Sequence, residues 1–219
     1  MKIQIVRDVL EANDQLADQI RELSKTHHVT LINIMSSPGS GKTSLLEQVI
    51  PVLQSYALRI GVIEGDITTT ADAERIARFE IPVSQINTEP FGGDCHLGSE
   101  VIMPALQQFD LNGLDLVFIE NVGNLVCPAE FDTGANHNFV IISITEGEDK
   151  PLKYPLMFRV CNTAIINKID LQPYLELDVG ILEKNIHQIH PDSRILKCSA
   201  KSGENIDQVV DHIRKLVNK

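Results

Sequence analysis

A glycine-rich segment near residue 40 has the spacing of a phosphate-binding loop. Residues 36–43 read SSPGSGKT, follow an apolar run of strand length and precede a helical pattern. The run matches G-x-x-x-x-G-K-[ST] except at its first position, where Ser36 replaces glycine. Inward-facing N–H groups of such a loop, together with the N-terminus of the helix that it opens, bind phosphate oxygens. The segment therefore predicts a site for the phosphates of a nucleotide.

The residues of this loop divide into those that shape it and those that act on the nucleotide. Gly39 and Gly41 let the backbone turn its N–H groups toward a β-phosphate. We expect Lys42 to bridge the β- and γ-phosphates in catalysis and Thr43 to bind Mg²⁺. The predicted phosphate-contacting residues are Gly39, Ser40, Gly41, Lys42, Thr43 and Ser44.

Two further polar loops predict that the nucleotide carries guanine. Residues 167–170 read Asn-Lys-Ile-Asp at the end of a predicted strand, and residues 199–201 read Ser-Ala-Lys after the last strand. The Asp170 carboxylate can accept from N1–H and the exocyclic amine of guanine, whereas adenine would leave it unpaired. We expect the Lys168 stem to cover the base and the Ala200 N–H to donate to guanine O6. The predicted base-binding residues are Asn167, Lys168, Asp170, Ser199, Ala200 and Lys201. With the phosphate loop, these are the elements of a GTPase.

Acidic residues stand at the carboxyl ends of two predicted strands, where open α/β sheets bind ligands. We expect Glu120, which ends the fourth strand, to act in catalysis by holding Mg²⁺ directly or through water. Asp66 and, as the weaker candidate, Asp72 could order Mg²⁺ or the attacking water, or could only cap a turn or helix. Asn124 stands where Ras-like enzymes have the glutamine that orients water, so slow intrinsic hydrolysis is predicted.

Two cysteines and a histidine form a candidate site for a soft metal. Cys95 and His96 are adjacent on a glycine-flanked loop, and Cys127 follows Glu120 in the segment that we expect to respond to the nucleotide. Three ligands leave a closed zinc site incomplete, so a fourth must come from water, a second metal with bridging thiolates, or another subunit. Thiolate with imidazole selects Zn²⁺, Ni²⁺ or copper over Mg²⁺. Two buried thiols and a surface histidine are the alternative, which the glycines around Cys95 and the position of Cys127 disfavour.

The alternation of apolar runs and helical patterns predicts the α/β fold of a P-loop NTPase. A mostly parallel central sheet of about seven strands with helices on both faces is expected. The predicted strands are Val29–Met35, Arg59–Glu64, Val83–Ile86, Leu114–Glu120, Phe139–Thr145, Thr163–Asn167 and Arg194–Cys198. The predicted helices lie near Thr43–Ser55, Ala71–Phe79, Ser99–Phe109, Asp178–His190 and Asn205–Val217.

An amphipathic helix is predicted ahead of the first strand. Its apolar residues recur at helical spacing and are Val9, Leu10, Leu16, Ile20 and Leu23. We therefore expect an N-terminal helical segment, residues 1–28, that packs on a P-loop GTPase domain formed by residues 29–219.

The composition of the 219-residue chain excludes several functional classes. Nineteen Lys and Arg against 30 Asp and Glu give a net charge of −11, which argues against nucleic acid as a partner. Four cysteines do not make a disulfide framework in a chain of this length, and Cys161 and Cys198 are expected in the core. Because no apolar run reaches signal or membrane-spanning length, a cytoplasmic protein without a membrane partner is expected.

Four runs of residues together resemble one family of proteins. They are SSPGSGKT at 36–43, GGDCH at 92–96, ENVGNLVCPA at 120–129 and NKID at 167–170. From Val29 onward the chain is similar to the HypB family of GTPases that incorporate nickel into hydrogenases. The resemblance implies that Mg²⁺–GTP is served by Lys42, Thr43, Glu120, Asn167, Lys168 and Asp170. It implies that the metal site of the GTPase domain is formed by Cys95, His96 and Cys127.

The same resemblance implies cofactors and partners. Members of the family bind Zn²⁺ or Ni²⁺, form homodimers with GTP, and work with a HypA-type nickel metallochaperone to load the hydrogenase large-subunit precursor. One departure is the N-terminus, where some members carry a cysteine-rich nickel motif or a long histidine tract. This chain has only His27 and His28 there, so we expect a solvated helix end and no nickel store.

The spacing of the two sites suggests a mechanism. Cys127 lies seven positions after Glu120, so movement of that segment on hydrolysis should move a metal ligand and couple metal affinity to the nucleotide. The hypothesis is a GTP-hydrolysing nickel metallochaperone. A urease-type or cobalamin-enzyme chaperone is less consistent with the separate Cys-His loop and Cys127. A P-loop kinase and a metal store with incidental hydrolysis are the alternatives from other classes.

Overall fold

The computed structural model of the chain describes residues 5–66, 70–89 and 96–217, with side chains from residue 10 onward. Over these residues the fold is a single seven-stranded sheet in the order β3-β2-β4-β1-β5-β6-β7. All six strand pairings are parallel. The predicted α/β fold is therefore confirmed, with a sheet that is wholly parallel.

The strands lie within two residues of the predicted bounds. They are β1 Thr30–Ser36, β2 Ile60–Asp66, β3 Val83–Asn87, β4 Leu116–Glu120, β5 His137–Ser143, β6 Thr163–Asn167 and β7 Arg194–Lys197. Every residue of β1, β4 and β6 is buried. Strands covered on both faces read as continuous apolar runs, which explains why the sequence located them.

Eight helices surround the sheet in the described part of the chain. They are α1 Ile5–His27, α2 Lys42–Ser55, α3 Ala71–Ala77, α4 Ser99–Leu106, α5 Lys150–Lys153, α6 Pro155–Val160, α7 Val179–Ile189 and α8 Ile206–Leu216. The apolar residues of α2, α3 and α8 pack on one face of the sheet, and those of α1, α4, α6 and α7 pack on the other. None of these helices combines the length and apolar character that crossing a bilayer requires.

The two short helices α5 and α6 are not predicted by helical periodicity. Each begins with proline in its first two positions, at Pro151 and Pro155, where the missing N–H costs nothing. Met157 and Phe158 are buried, whereas Leu152 and Leu156 remain exposed. The segment thus contributes both to the core and to the surface.

The first helix packs on the sheet side through the predicted residues Leu16, Ile20 and Leu23, of which Ile20 is fully buried. Ile20 is buried as expected, but Leu10 is exposed, and the side chain of Val9 lies outside the described residues. The buried face is completed by Ala17 and by two polar residues, Asn13 and Ser24. Polar residues can occupy this face because their hydrogen bonds are satisfied there, as Asn13 illustrates by accepting a hydrogen bond from Ser99 N at 3.0 Å.

Candidate nucleotide and metal sites

The phosphate loop runs from the end of β1 to the start of α2. Ser36 is fully buried, and its Oγ donates to the carbonyl oxygen of Ser37 at 2.7 Å, so the first position accepts a side chain. Gly39 and Gly41 have φ angles of +73° and +98°, which glycine adopts without strain. A Cβ at Gly41 would also lie 2.6 Å from Nδ2 of Asn167. Glycine at position 41 is therefore required by the turn and by the close approach of the base-binding residues.

The carboxylate of Glu146, which is distant in sequence, accepts hydrogen bonds from two serines of the phosphate loop. Ser40 Oγ donates to Glu146 Oε1 at 2.7 Å, and Ser37 Oγ donates to Glu146 Oε2. The N–H of Ser143 also donates to Glu146 Oε1 at 2.9 Å, and the Lys150 ammonium lies 3.9 Å from Oε2. Sequence reasoning missed Glu146, because 106 positions separate it from Ser40 and no local pattern marks it.

Five of the six predicted base-binding residues, all except Ser199, line one cavity of about 500 Å³. Its lining is Gly41, Ser44, Glu47, Gln48, Asn167, Lys168, Asp170, Leu171, Ala200 and Lys201. Asn167 Nδ2 donates to the carbonyl of Ser40 at 2.9 Å, and the Lys168 ammonium donates to that of Gly39 at 2.7 Å. The Lys168 stem therefore reaches from the end of β6 to the phosphate loop, and the two predicted half-sites form one continuous site.

Hydrogen bonds within the protein orient Asp170 and engage the N–H of Ala200. Ser199 Oγ donates to Asp170 Oδ1 at 2.6 Å, which orients the carboxylate. The Ala200 N–H, expected to donate to guanine O6, instead donates to Asn167 Oδ1 at 3.0 Å. That bond fixes the side-chain amide of Asn167, so in this structure Ala200 supports the site through Asn167. Lys201 lines the same cavity.

Three carboxylates meet beside the phosphate loop. Glu64 of β2 and Glu120 of β4 are opposite each other in the parallel register, so their side chains share one face of the sheet. One ligand oxygen from each of Glu64, Asp72 and Glu120 lies within 4.8 Å of the others. Thr43 Oγ1 donates to Glu120 Oε1 at 2.8 Å, and the Lys42 ammonium is 4.0 Å from the same oxygen.

The structure places Asp66 and Asp72 differently. Asp66 ends β2 and is not one of the three clustered carboxylates. Asp72, in the first turn of α3, joins the cluster and accepts from Arg75 at 2.7 Å. Arg75 also pairs with Glu47 at 2.6 Å and donates to Ser44 Oγ at 3.2 Å. This ion-pair network holds α3 against the start of α2.

The electrostatics of the carboxylate cluster favour a cation. Burial, followed by the neighbouring charge of Glu120, raises the pKa of Glu64 well above its usual range. Burial also raises the pKa of Glu120, although Lys42 and Thr43 oppose the shift. One oxygen of each glutamate, Oε2, is buried with no hydrogen-bond partner in the described structure. Hard oxygen ligands with unused lone pairs suit a divalent cation such as Mg²⁺.

The predicted soft-metal residues are described in part, because Cys95 lies outside the described residues. The His96 ring stacks on Phe131 at 3.8 Å between centroids, and its Nδ1 is buried without a hydrogen-bond partner in the described structure. Cys127 begins a short 3₁₀ turn, is half-buried, and has Asn124 Nδ2 3.5 Å from its Sγ. The side chain of Asn124 therefore contacts Cys127 and accepts a hydrogen bond from the N–H of Val126 in the same loop.

The other two cysteines are core residues, as predicted. Cys161 and Cys198 are fully buried. Burial raises the pKa of the Cys198 thiol to about 12 and moves that of Cys161 in the same direction. Their burial fits a role in packing rather than in metal binding.

A phosphate loop, a polar cavity beside it and acids at the carboxyl edge of a parallel sheet define a P-loop nucleotide-binding protein. The family model described as "CobW/HypB/UreG, nucleotide-binding domain" matches residues 30–197. The chain belongs to this family and, within it, to the HypB proteins.

Curated relatives and solved structures agree with this assignment. The hydrogenase maturation factor HypB of Escherichia coli K12 is 43% identical over 94% of this chain and 70% of its own length. The "Probable hydrogenase maturation factor HypB" of Methanocaldococcus jannaschii is 39% identical over 98% of this chain and 96% of its own length. For the Azotobacter chroococcum factor, which is 44% identical over 94% of this chain, the match spans 66% of the relative.

HypB from Archaeoglobus fulgidus is 37% identical, with a TM-score of 0.87 over 95% of this chain and 100% of that one. HypB from Helicobacter pylori in complex with nickel is 32% identical, with a TM-score of 0.86 over 95% of this chain and 98% of that one.

Proposed function

We propose that this chain is a GTP-hydrolysing nickel metallochaperone that couples GTP-dependent dimerisation and metal binding to nickel insertion during [NiFe] hydrogenase maturation. The observation that carries the proposal is the position of Glu120. Its carboxylate contacts Thr43 of the phosphate loop, and the segment that follows it leads to Cys127. A nucleotide and a soft metal would therefore act on the two ends of one short segment.

Guanine selectivity is assigned to Asp170. Its carboxylate lines the cavity beside Asn167 and the phosphate loop, and Ser199 orients it. Two acceptor lone pairs aimed at a base match N1–H and the exocyclic amine of guanine and leave adenine mismatched. The substrate is therefore GTP, and GDP is the product that remains in the site.

Mg²⁺ fits the carboxylate cluster because two buried carboxylate oxygens there have no hydrogen-bond partner among the residues that the structure describes. Thr43 and Glu120 would hold the ion, and Asp72 and Glu64 of the same cluster would order the water around it. The candidate Asp66 lies outside this cluster. When bound, the ion neutralises charge that develops on the β- and γ-phosphates. Lys42 contributes a fixed positive charge, and the N–H groups of the loop and of α2 orient the phosphates.

Nickel is the cargo in this proposal. The half-buried Cys127 thiol and His96 Nδ1, which has no hydrogen-bond partner within the described residues, are the described members of the predicted soft-metal set. Cys95 is its predicted third member. Zn²⁺ can occupy the same donors. The relative from Helicobacter pylori, whose structure contains nickel, supports the choice of Ni²⁺.

Association between subunits would complete the incomplete metal set. The exposed apolar side chains Leu152, Leu156 and Tyr174 provide surface for a homodimer or for a partner. The partners are a HypA-type nickel metallochaperone and the hydrogenase large-subunit precursor in the cytoplasm. Hydrolysis would then release the metal toward the acceptor.

The proposal is tested by titrating Ni²⁺ and Zn²⁺ into the protein loaded with GDP or a non-hydrolysable GTP analogue. Bound metal and subunit mass are followed together on a sizing column. We expect metal affinity or stoichiometry to change with the nucleotide and to follow dimer formation. Metal binding that ignores the nucleotide would leave a store with incidental hydrolysis as the better description. Transfer of phosphate to a small acceptor would instead indicate a kinase.

A further inference from the structure

One fully buried side chain joins the two candidate sites. Asn121 directly follows Glu120, and its Oδ1 accepts hydrogen bonds from the N–H groups of Leu97 and Val122, each at 3.0 Å. Leu97 is the residue after His96. A single amide therefore connects the strand end that carries the nucleotide-facing acid to the segment that carries a metal-ligand candidate.

The amide of Asn121 is fixed from the centre of the sheet. Its Nδ2 donates to Asn33 Oδ1 of β1 at 3.2 Å, and Asn33 Nδ2 donates to Asn138 Oδ1 of β5 at 3.1 Å. Asn33 and Asn138 are paired in the register of these strands. The side-chain amides of Asn121 and Asn33 are buried and hydrogen-bonded to each other. Rotation of Asn121 alone would therefore leave buried polar groups without hydrogen bonds. It must move together with the end of β4.

The other end of the same segment has a separate anchor. Asn13 of α1 accepts from the N–H of Ser99 at 3.0 Å and donates to the carbonyl of Asp132 at 3.0 Å. Asp132 follows Phe131, whose ring stacks on His96. The helix α1 carries no predicted nucleotide-binding residue. The segment from His96 to Ser99 is thus held at one end by a residue next to Glu120 and at the other by α1.

We propose that Asn121 is the positioning residue that transmits the nucleotide state to the soft-metal site. Displacement of Glu120 on exchange of GTP for GDP moves the Asn121 amide, and the bond to Leu97 N carries that displacement to His96. Asn13 is the stationary anchor against which the segment moves. The inference rests on the proposed function, since it assigns a route to the coupling between GTP and a soft divalent metal.

The test compares Asn121→Ala with Asn13→Ala as a matched control that removes the other anchor. Ni²⁺ affinity is measured from thiolate-to-nickel absorption with GDP and with a non-hydrolysable GTP analogue. We expect Asn121→Ala to bring the ratio of the two affinities to within about twofold of one, with nucleotide affinity changed less than about threefold. Asn13→Ala should weaken nickel binding in both states and preserve the ratio.

Asn121→Asp supplies a conservative rescue, because its carboxylate retains the acceptor for Leu97 N. It should keep a nucleotide-dependent ratio that the alanine variant loses. A wild-type ratio that differs from one and survives in Asn121→Ala overturns the role of Asn121 alone. A wild-type ratio of one removes the coupling itself and counts against the proposed function.

Amide hydrogen exchange of Leu97 in the wild-type protein tests the same route if Asn121→Ala fails to fold. We expect its protection to differ at least threefold between the GDP and GTP-analogue states. Equal exchange in both states, when the nickel affinities differ, overturns the inference.

Discussion

The nucleotide region and the proposed soft-metal region of this molecule are organised in different ways. The nucleotide residues stand at strand ends or on the phosphate loop and bond to one another, as Asn167 does to Ser40 across 127 positions. His96 and Cys127 lie on loops, and the side chains shown against them are those of Phe131 and Asn124. The nucleotide region is therefore preformed by the sheet, whereas the metal region depends on how two loops are held.

This difference predicts that the nucleotide region can be inactivated without affecting metal binding by the free protein. Lys42→Ala removes the ammonium that lies 4.0 Å from Glu120. We expect single-turnover GTP hydrolysis to fall about 10²–10³-fold, the usual effect of losing a group that stabilises charge in the transition state. Lys184→Ala, an exposed change on α7, should leave the rate unchanged. Equal loss of nickel binding by nucleotide-free Lys42→Ala would contradict the separation of the regions.

The selectivity of the preformed base site among purine nucleotides should change when one carboxylate oxygen of Asp170 is replaced by an amide nitrogen. Asp170→Asn retains an acceptor for Ser199 Oγ but replaces the second carboxylate oxygen by a donor. GTP affinity should fall about 100-fold, because hydrogen bonds to a charged group contribute roughly 1.5–3 kcal/mol each. Xanthosine triphosphate, which carries a carbonyl where guanine has its amine, should bind this variant better than GTP does. Competition titrations measure both affinities, and no gain for the xanthine nucleotide would refute the assigned role.

The metal region should respond to thiol loss at one position and not at another. Cys127→Ala should lower Ni²⁺ affinity at least about 10- to 100-fold, a loss that even supporting partners of metal ligands produce. Cys161→Ala is the matched control, because burial raises the pKa of that thiol and keeps it protonated. Nickel titration of both variants with GDP bound is the measurement. Similar losses in the two variants would mean that Cys127 has no special role.

The smallest expected effect concerns the unfavourable free energy of ionising the buried carboxylate of Glu64. Burial and Glu120 raise the pKa of Glu64, so the folded protein binds that proton more tightly than the unfolded chain does. The contribution of Glu64 to the free energy of unfolding of the nucleotide-free protein should therefore be complete below about pH 4.5. It should decrease as the pH rises above that value. Glu64→Gln should add about 1 kcal/mol or more at pH 8, since each unit of pKa elevation corresponds to about 1.4 kcal/mol.

Urea titrations of the wild-type protein and Glu64→Gln between pH 5 and 9 test this expectation. The difference in free energy of unfolding should widen with pH. A constant difference would assign the effect of the substitution to packing. Asp192→Asn, in an exposed turn, controls for the change in net charge.

Much of this arrangement could be predicted because its signals are local. The buried strands are apolar runs, and the residues of the phosphate and base sites stand directly beside them, so all lie near their predicted places. The polar members of the buried face of α1 could not be predicted from apolar spacing, since Asn13 and Ser24 occupy it through hydrogen bonds. Helices α5 and α6 were missed because proline at a first helical turn resembles a break in the sequence.

The sequence by itself determined the class of fold and located the phosphate loop, the predicted base-binding residues and Glu120, because periodicity and motif spacing are properties of neighbouring residues. Only the tertiary structure decided that Glu64 faces Glu120, that Glu146 supports the phosphate loop and that Asn121 reaches Leu97. Those pairings depend on strand register and on contacts between segments far apart in the chain. Their hydrogen bonds form between residues that no local pattern relates.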